Sequence, residues 1–152
     1  MNSALRLLVA GMLAAATAAA DAPPPYRVVD GTQVDAQTHA GWGAWRAMAC
    51  ERCHGNQQQG LVGPALTQSL NTMTREEFRT TVLNGRIEKG MPNFGNSETV
   101  VRNIDGLYNF LKGRADGAIA PGRLQVLKET DPTDTKLTEC PASATSAGST
   151  RC

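Results

Sequence analysis

The chain has 152 residues, 15 Lys+Arg against 14 Asp+Glu, 41% hydrophobic and only 5% aromatic side chains. That length suits one domain, and a near-neutral balance without a basic block excludes a nucleic-acid binder. So few large apolar side chains leave a thin core for a chain this small.

Residues 1–20 read as a secretory signal. Arg6 forms a short basic start, and Leu7 to Ala16 is an apolar run too short to span a membrane. Ala18-Ala19-Ala20 offers small residues for cleavage before Asp21. A retained amino-terminal anchor is the alternative, and the short, alanine-rich run argues against it. Cleavage removes Arg6 and no acid, so 15 against 14 becomes 14 against 14. Nothing else in the chain points to a membrane.

Residues 21–37 begin with Pro23, Pro24 and Pro25 and continue as Tyr26-Arg27-Val28-Val29-Asp30-Gly31. This is an extended arm, ordered by lying on the domain, with Val28, Val29 and Val34 able to pack and a turn at Asp30-Gly31. A first helix is expected from Thr38, as N-cap, into Cys50. Gly41, Trp42, Trp45, Met48 and Ala49 mark one side of it at helical spacing. Gly41 and Gly43 each cost about 1 kcal/mol relative to alanine, which close approach to another helix would offset.

Cys50-Glu51-Arg52-Cys53-His54 then spells C-x-x-C-H, the attachment signature of a c-type haem. Two thiols at this spacing reach the two vinyl groups on one porphyrin edge and form thioethers. The next residue is thereby tethered beneath the iron, so the His54 imidazole becomes an axial ligand at little further conformational cost. A thioredoxin-type pair would want a βαβ context, whereas the flanks here are a helical pattern and a glycine-rich loop. A structural zinc site needs four ligands, and the sequence has no second C-x-x-C and only His39 besides His54. A buried haem also supplies the apolar surface that the side chains lack, so instability of the apo-protein is expected.

Gly55 to Gly63 and Pro64-Ala65-Leu66 form a loop. Thr74-Arg75-Glu76-Glu77 fits a capping box for a helix carrying Phe78, Val82 and Leu83 and stopping at Asn84-Gly85. Residues 85–96 are a second loop. Ser97 caps the last long helix, which is expected to run to about Lys112 with Gly113 after it. Val100, Ile104, Leu107, Tyr108 and Leu111 are its apolar stripe, and Gly106 beside them is a crossing point for Gly41 or Gly43. Residues 113–139 read as an extended tail with five acids. Cys140 and Cys152 are left over near the end. In an oxidising compartment they pair in a disulfide, the alternative being free or intermolecular thiols.

The ligand opposite His54 decides the function. Met48 points to core packing, and Met73, before a capped helix, does the same. Met91 lies in Gly90-Met91-Pro92, where glycine permits close backbone approach and proline stiffens the turn. A thioether in a rigid loop suits an electron carrier. Met/His ligation raises the reduction potential and closes the iron to substrates. The alternative is that Met91 is only an apolar lid. His39, near a helix start, is exposed or capping rather than a ligand.

These parts together resemble class I cytochromes c: Gly41-x-x-x-Trp45, Cys50-x-x-Cys53-His54-Gly55, Gly63-Pro64-Ala65-Leu66, Gly90-Met91-Pro92 and the aromatic-bearing helix around Tyr108. Gly41 and Trp45 stand one residue further from the first cysteine than is commonest, which bears on the helix crossing angle. The resemblance implies an all-α class I cytochrome c fold, three main helices around one covalent haem c, with extended amino- and carboxy-terminal arms flanking a haem domain at 38–113. It also implies that the Pro64 carbonyl accepts a hydrogen bond from His54 Nδ1. A narrower likeness covers about residues 26–122, through Tyr26-Arg27-Val28-Val29-Asp30-Gly31, Gly85-Arg86-Ile87-Glu88-Lys89-Gly90-Met91-Pro92-Asn93-Phe94 and Leu111-Lys112-Gly113-Arg114-Ala115-Asp116-Gly117. It is similar to the cytochrome cL-type acceptors of quinoprotein alcohol dehydrogenases. That implies a periplasmic one-electron carrier, not an enzyme, between a pyrroloquinoline-quinone alcohol dehydrogenase, methanol dehydrogenase among them, and a terminal oxidase or another cytochrome. Docking is expected at an apolar patch with Leu61, Val62 and Phe94, near Arg86 and Lys89. Two other functions stay open: a haem protein with a labile sixth ligand, as in a peroxidase or gas sensor, and a haem subunit of a membrane complex.

Overall fold

The structure, a computed structural model, describes residues 23–128. The signal at 1–20, the tail beyond 128 and the Cys140–Cys152 pairing lie outside the described residues. Within them the chain is mostly helical: α1 (Ala36–Ala47), α2 (Glu51–His54), α3 (Leu66–Ser69), α4 (Arg75–Asn84) and α5 (Glu98–Ala115). Three two-residue strands accompany them: β1 (Val28–Val29), β2 (Gln33–Val34) and β3 (Gln125–Val126).

Helix α1 starts earlier than expected. Its N-cap is Asp35, which accepts from Thr38 N at 2.9 Å and Thr38 Oγ1 at 2.7 Å. Thr38 is fully buried and uses its hydroxyl as a donor, so the carboxylate, with more acceptor capacity, takes the capping place. Burial pulls Asp35 upward, but hydrogen bonds from Arg27 N and from Thr38 outweigh it and hold the carboxyl below its usual range.

α1 also ends before Cys50. Ala49 takes a left-handed conformation at φ 52, and Cys50 N reaches back five residues to Trp45 O at 3.3 Å. This wide turn takes up one residue more than a regular helical turn between Trp45 and Cys50. The crossing itself is between Gly41 and Gly106: a Cβ on Gly41 would stand 1.9 Å from Gly106 C and 2.0 Å from Gly106 O. Gly43 faces open space, with nothing within 4 Å of its would-be Cβ.

α4 carries the expected box, Glu77 N to Thr74 Oγ1 at 3.2 Å and Thr74 N to Glu77 Oε2 at 2.8 Å. α5 is capped by Ser97 and buries Val100, Ile104, Leu107, Tyr108 and Leu111, each 8% exposed or less. It bends at Asn103 (φ −112, ψ 16), whose Nδ2 donates to Thr99 O at 2.8 Å, a local bond that competes with helix geometry. α5 runs on past Lys112 to Ala115. Gly113 is inside it, where a Cβ would lie 2.5 Å from Ile119 Cδ1, so this glycine makes room for the returning chain rather than stopping the helix.

The arm and the tail finish the core. Asp30 and Gly31 turn left-handed at φ 51 and 69 and join β1 to β2, which pair antiparallel, Val28 with Val34. β3 then lies parallel to β2, Val34 with Val126. Val34, Ile119 and Leu124 are buried with the helical stripe, while Val29 is left 47% exposed. Tyr26 OH donates to Asp116 Oδ2 at 2.8 Å and ties the arm to the end of α5.

Candidate haem site

The site is built where α1, the loop after α2 and the loop before α5 meet. α2 is short because Gly55 leaves it at φ 83, yet one turn places Cys50, Cys53 and His54 together. Cys50 is half-buried and Cys53 exposed, and both thiols are free. Burial first, then the Glu51 charge, push the Cys50 thiol up to about 11.

The His54 ring is fixed by the chain that follows it. Nδ1 lies 2.9 Å from the Pro64 carbonyl oxygen. A carbonyl only accepts, so Nδ1 carries the proton and Nε2 keeps its lone pair for a metal. Gly63 lets the backbone lie against the ring, since a Cβ there would stand 2.8 Å from His54 Cε1. Gly63 N donates to Cys53 O at 2.9 Å and Gly60 N to His54 O at 2.8 Å, closing the loop onto α2. Trp45 stands on the inner side, its ring centroid 6.3 Å from that of His54.

Met91 sits in a loop pinned at both ends. Arg86 N donates to Met91 O at 2.9 Å and Met91 N to Arg86 O at 3.1 Å, around a 3₁₀ turn at Ile87–Lys89. Phe94 N and Gly95 N donate to Val82 O and Leu83 O at 3.2 and 2.9 Å. Gly85 turns left-handed where a Cβ would strike Asn93 N at 2.6 Å. Met48 and Met73 also pack half-buried against the core, and Ser97 Oγ lies 3.6 Å from Met48 Sδ. The His39 ring lies tilted against Trp42, centroids 5.3 Å apart, and no cluster of His, Cys, Asp and Glu fit for a metal ion exists among the described residues.

This arrangement fits a covalent haem. Two free thiols and an imidazole whose Nε2 keeps its lone pair stand within five residues, and Leu66, Met73, Met91 and Phe94 are apolar side chains left only partly buried against the core. Residues 36–111, half of the chain, match the family model described as cytochrome c oxidase, cbb3-type, subunit III. Cytochrome c-555 of Methylococcus capsulatus is 37% identical over 93 residues, which cover 60% of this chain and 74% of that one. The chain belongs to the c-type cytochromes. It is an electron-transfer protein, not an enzyme, and its family binds haem c covalently. Cytochrome c-553I of Paracoccus denitrificans is 32% identical over 107 residues, 66% of this cytochrome but 47% of that relative. Among solved structures, the c-type cytochrome XoxG from Methylobacterium extorquens AM1 superposes with a TM-score of 0.61 at 30% identity, over 72% of this chain and 70% of that one. The fold is accordingly that of class I cytochromes c, with α1, α4 and α5 as the three main helices.

The surface of this cytochrome differs in part from expectation. Leu61 and Val62 stand 67% and 90% exposed, Phe94 is half-buried against the core, and Ile87, 67% exposed, is a further exposed apolar side chain that the sequence did not single out. Two polar residues behind His54 were also missed, Gln58 and Arg114; the second stands in the Gly113-Arg114-Ala115-Asp116-Gly117 run, where spacing alone gives it no task.

Proposed function

We propose that this cytochrome is a periplasmic one-electron carrier that takes electrons from a quinoprotein alcohol dehydrogenase, methanol dehydrogenase among the candidates, and passes them to an oxidase or another cytochrome. Cys50 and Cys53 would hold one haem c through thioethers, and His54 and Met91 would ligate its iron. Haem c supplies the one-electron iron couple. The chain's own part is to hold the imidazole through Pro64, to hold the thioether in the pinned 86–91 loop, and to keep water from the iron with Leu66, Phe94 and the α4 side chains. The observations that support this reading are the His54–Pro64 contact at 2.9 Å, which leaves Nε2 free for a metal, and a methionine loop closed by its own backbone bonds.

The partner rests on the cytochrome cL-type likeness of residues 26–122 and on the match with XoxG. The exposed Leu61 and Val62, adjacent in the loop after His54, offer apolar contacts suited to brief redox encounters, and Arg86 and Lys89 flank the exposed Ile87 in sequence, where charge can steer the approach. Rapid mixing of the ferric holoprotein with a quinoprotein alcohol dehydrogenase and its alcohol tests this. Fast reduction is expected, and failure of every such enzyme to reduce the cytochrome overturns the partner.

A second reading, a haem subunit tethered in a membrane complex, has one observation in its favour, the oxidase-subunit description of the matched family. An unprocessed amino terminus on protein from membranes would establish it; a mature protein starting at Asp21 in the periplasmic fraction speaks for the carrier.

A further inference from the structure

Arg114 stands in the last turn of α5, half-buried, far along the chain from His54. Its Nε donates to Gln58 Oε1 at 2.7 Å, one terminal nitrogen to the Gln57 carbonyl at 3.3 Å, and the other to the Ile119 carbonyl. One guanidinium thus binds the loop behind the imidazole to both α5 and the returning tail. Its fork geometry makes three such bonds from one side chain, which a lysine could not repeat.

The loop residue it grips is unusual. Gln58 is 3% exposed and left-handed at φ 60, a conformation that costs a non-glycine residue about 1 kcal/mol or more. It is bonded to both ends of its loop. Gln58 N donates to Gly55 O at 2.9 Å, its Nε2 to Asn56 O at 3.2 Å, and its own carbonyl accepts from Leu66 N at 2.8 Å and Thr67 N at 3.3 Å. Between those ends lie Gly63, against the ring, and Pro64, whose carbonyl faces His54 Nδ1. Among the described residues the Gln58 amide oxygen accepts only from Arg114, so without Arg114 a buried amide oxygen loses its donor. The strained residue then has less to hold it, and a cavity of about 560 Å³ lined by Gln57, Gln58, Arg114 and Trp45 gives it room to move.

We propose that Arg114, acting through Gln58, is a positioning residue for the His54 imidazole: it fixes the loop that presents the Pro64 carbonyl and so keeps the ring's orientation and its Nδ1 proton in place. This rests on the reading of His54 as iron ligand. Arg114 bonds the loop and the returning chain rather than the ring, and its effect is on how often the Nδ1–H···O bond opens.

The test is proton NMR of the ferric holoprotein with 15N-labelled histidine, following exchange of the His54 Nδ1 proton with deuterium. Arg114→Met is expected to speed that exchange about tenfold or more, because opening of the bond becomes a local rather than a concerted event. Gln58→Met, close in shape, should do the same, and the double variant should go no further than the faster single one. Lys112→Met, on the same helix but paired with Asp116, should leave the exchange at its wild-type rate. An Arg114→Met protein with a lowered melting point and unchanged Nδ1 exchange would make Arg114 a clamp only and overturn the proposal. Where that variant does not fold, wild-type exchange in Gln58→Met overturns it equally. A wild-type spectrum with no hyperfine-shifted His54 ring resonance instead refutes His54 as ligand, a separate outcome.

Discussion

Gly41→Ala and Gly43→Ala are the same chemical change two residues apart in one helix, and they should move stability in opposite directions. At Gly41 the new methyl would stand 1.9 Å from Gly106 C and 2.2 Å from Leu107 N. These are backbone atoms of α5, so no side chain can swing aside. Reaching an ordinary contact requires α1 and α5 to part by about 1.5 Å along a well-packed core. Overpacking of this kind costs ~1–3 kcal/mol, and a backbone obstacle argues for the upper end. The gain in helix propensity returns ~1 kcal/mol, leaving a net loss of ~2 kcal/mol. At Gly43 the methyl meets nothing within 4 Å, so only the gain remains, ~0.5–1 kcal/mol. The two variants should therefore differ by ~3 kcal/mol, about a hundredfold in the unfolding constant. Guanidinium unfolding of the two holoproteins, followed by far-ultraviolet circular dichroism, measures this directly. Equal midpoints for Gly41→Ala and Gly43→Ala would refute the crossing.

Tyr26 links the amino-terminal arm to α5 in a way that pH reveals. Burial first, then the hydrogen bond to Asp116 and its charge, raise the phenol to about 12, above its usual value near 10. The folded state holds this proton more tightly, so the contribution is whole below about pH 10 and is lost as pH rises towards 12. Tyr26→Phe should cost ~1 kcal/mol at neutral pH and flatten the alkaline fall, as urea midpoints at pH 7 and above pH 10 would show; an unaltered fall speaks against the Tyr26–Asp116 bond. On the docking surface, Leu61→Asp or Val62→Asp should slow reduction by a quinoprotein alcohol dehydrogenase about tenfold, with the haem spectrum and potential unchanged. Wild-type rates in both would remove the patch.

Elements with their own punctuation were legible in the sequence. Thr74 and Glu77 announce α4 by a reciprocal bond that needs only local geometry, and the α5 stripe repeats over about three turns. The close approach at Gly41 was also visible, because two glycines inside amphipathic helices want a reason. The start of α1 was not, since Asp35 and Thr38 both suit a cap and only the fold decides which is acceptor and which donor. The small sheet was out of reach: two-residue strands have no period, and β2 near the start of the described residues pairs with β3 near their end. Gly113 looked like a helix stop because Ile119, which fills the space above it, comes from a stretch with no pattern of its own. At the site, Cys50, Cys53 and His54 are adjacent and could be read together. Gln58 and Arg114 are 56 residues apart, and neither residue type marks a task by itself.

The electronic spectrum of the ferric holoprotein tests the central claim, a haem iron between His54 and Met91, most directly. Sulfur-to-iron charge transfer gives a weak band near the red end of the visible. It should be present in the wild type and in Met73→Ala at neutral pH, and absent from Met91→Ala, which should keep its covalent haem, show a lower potential and bind added imidazole or cyanide. A wild type without the band, or a Met91→Ala protein that retains it, would contradict this ligation.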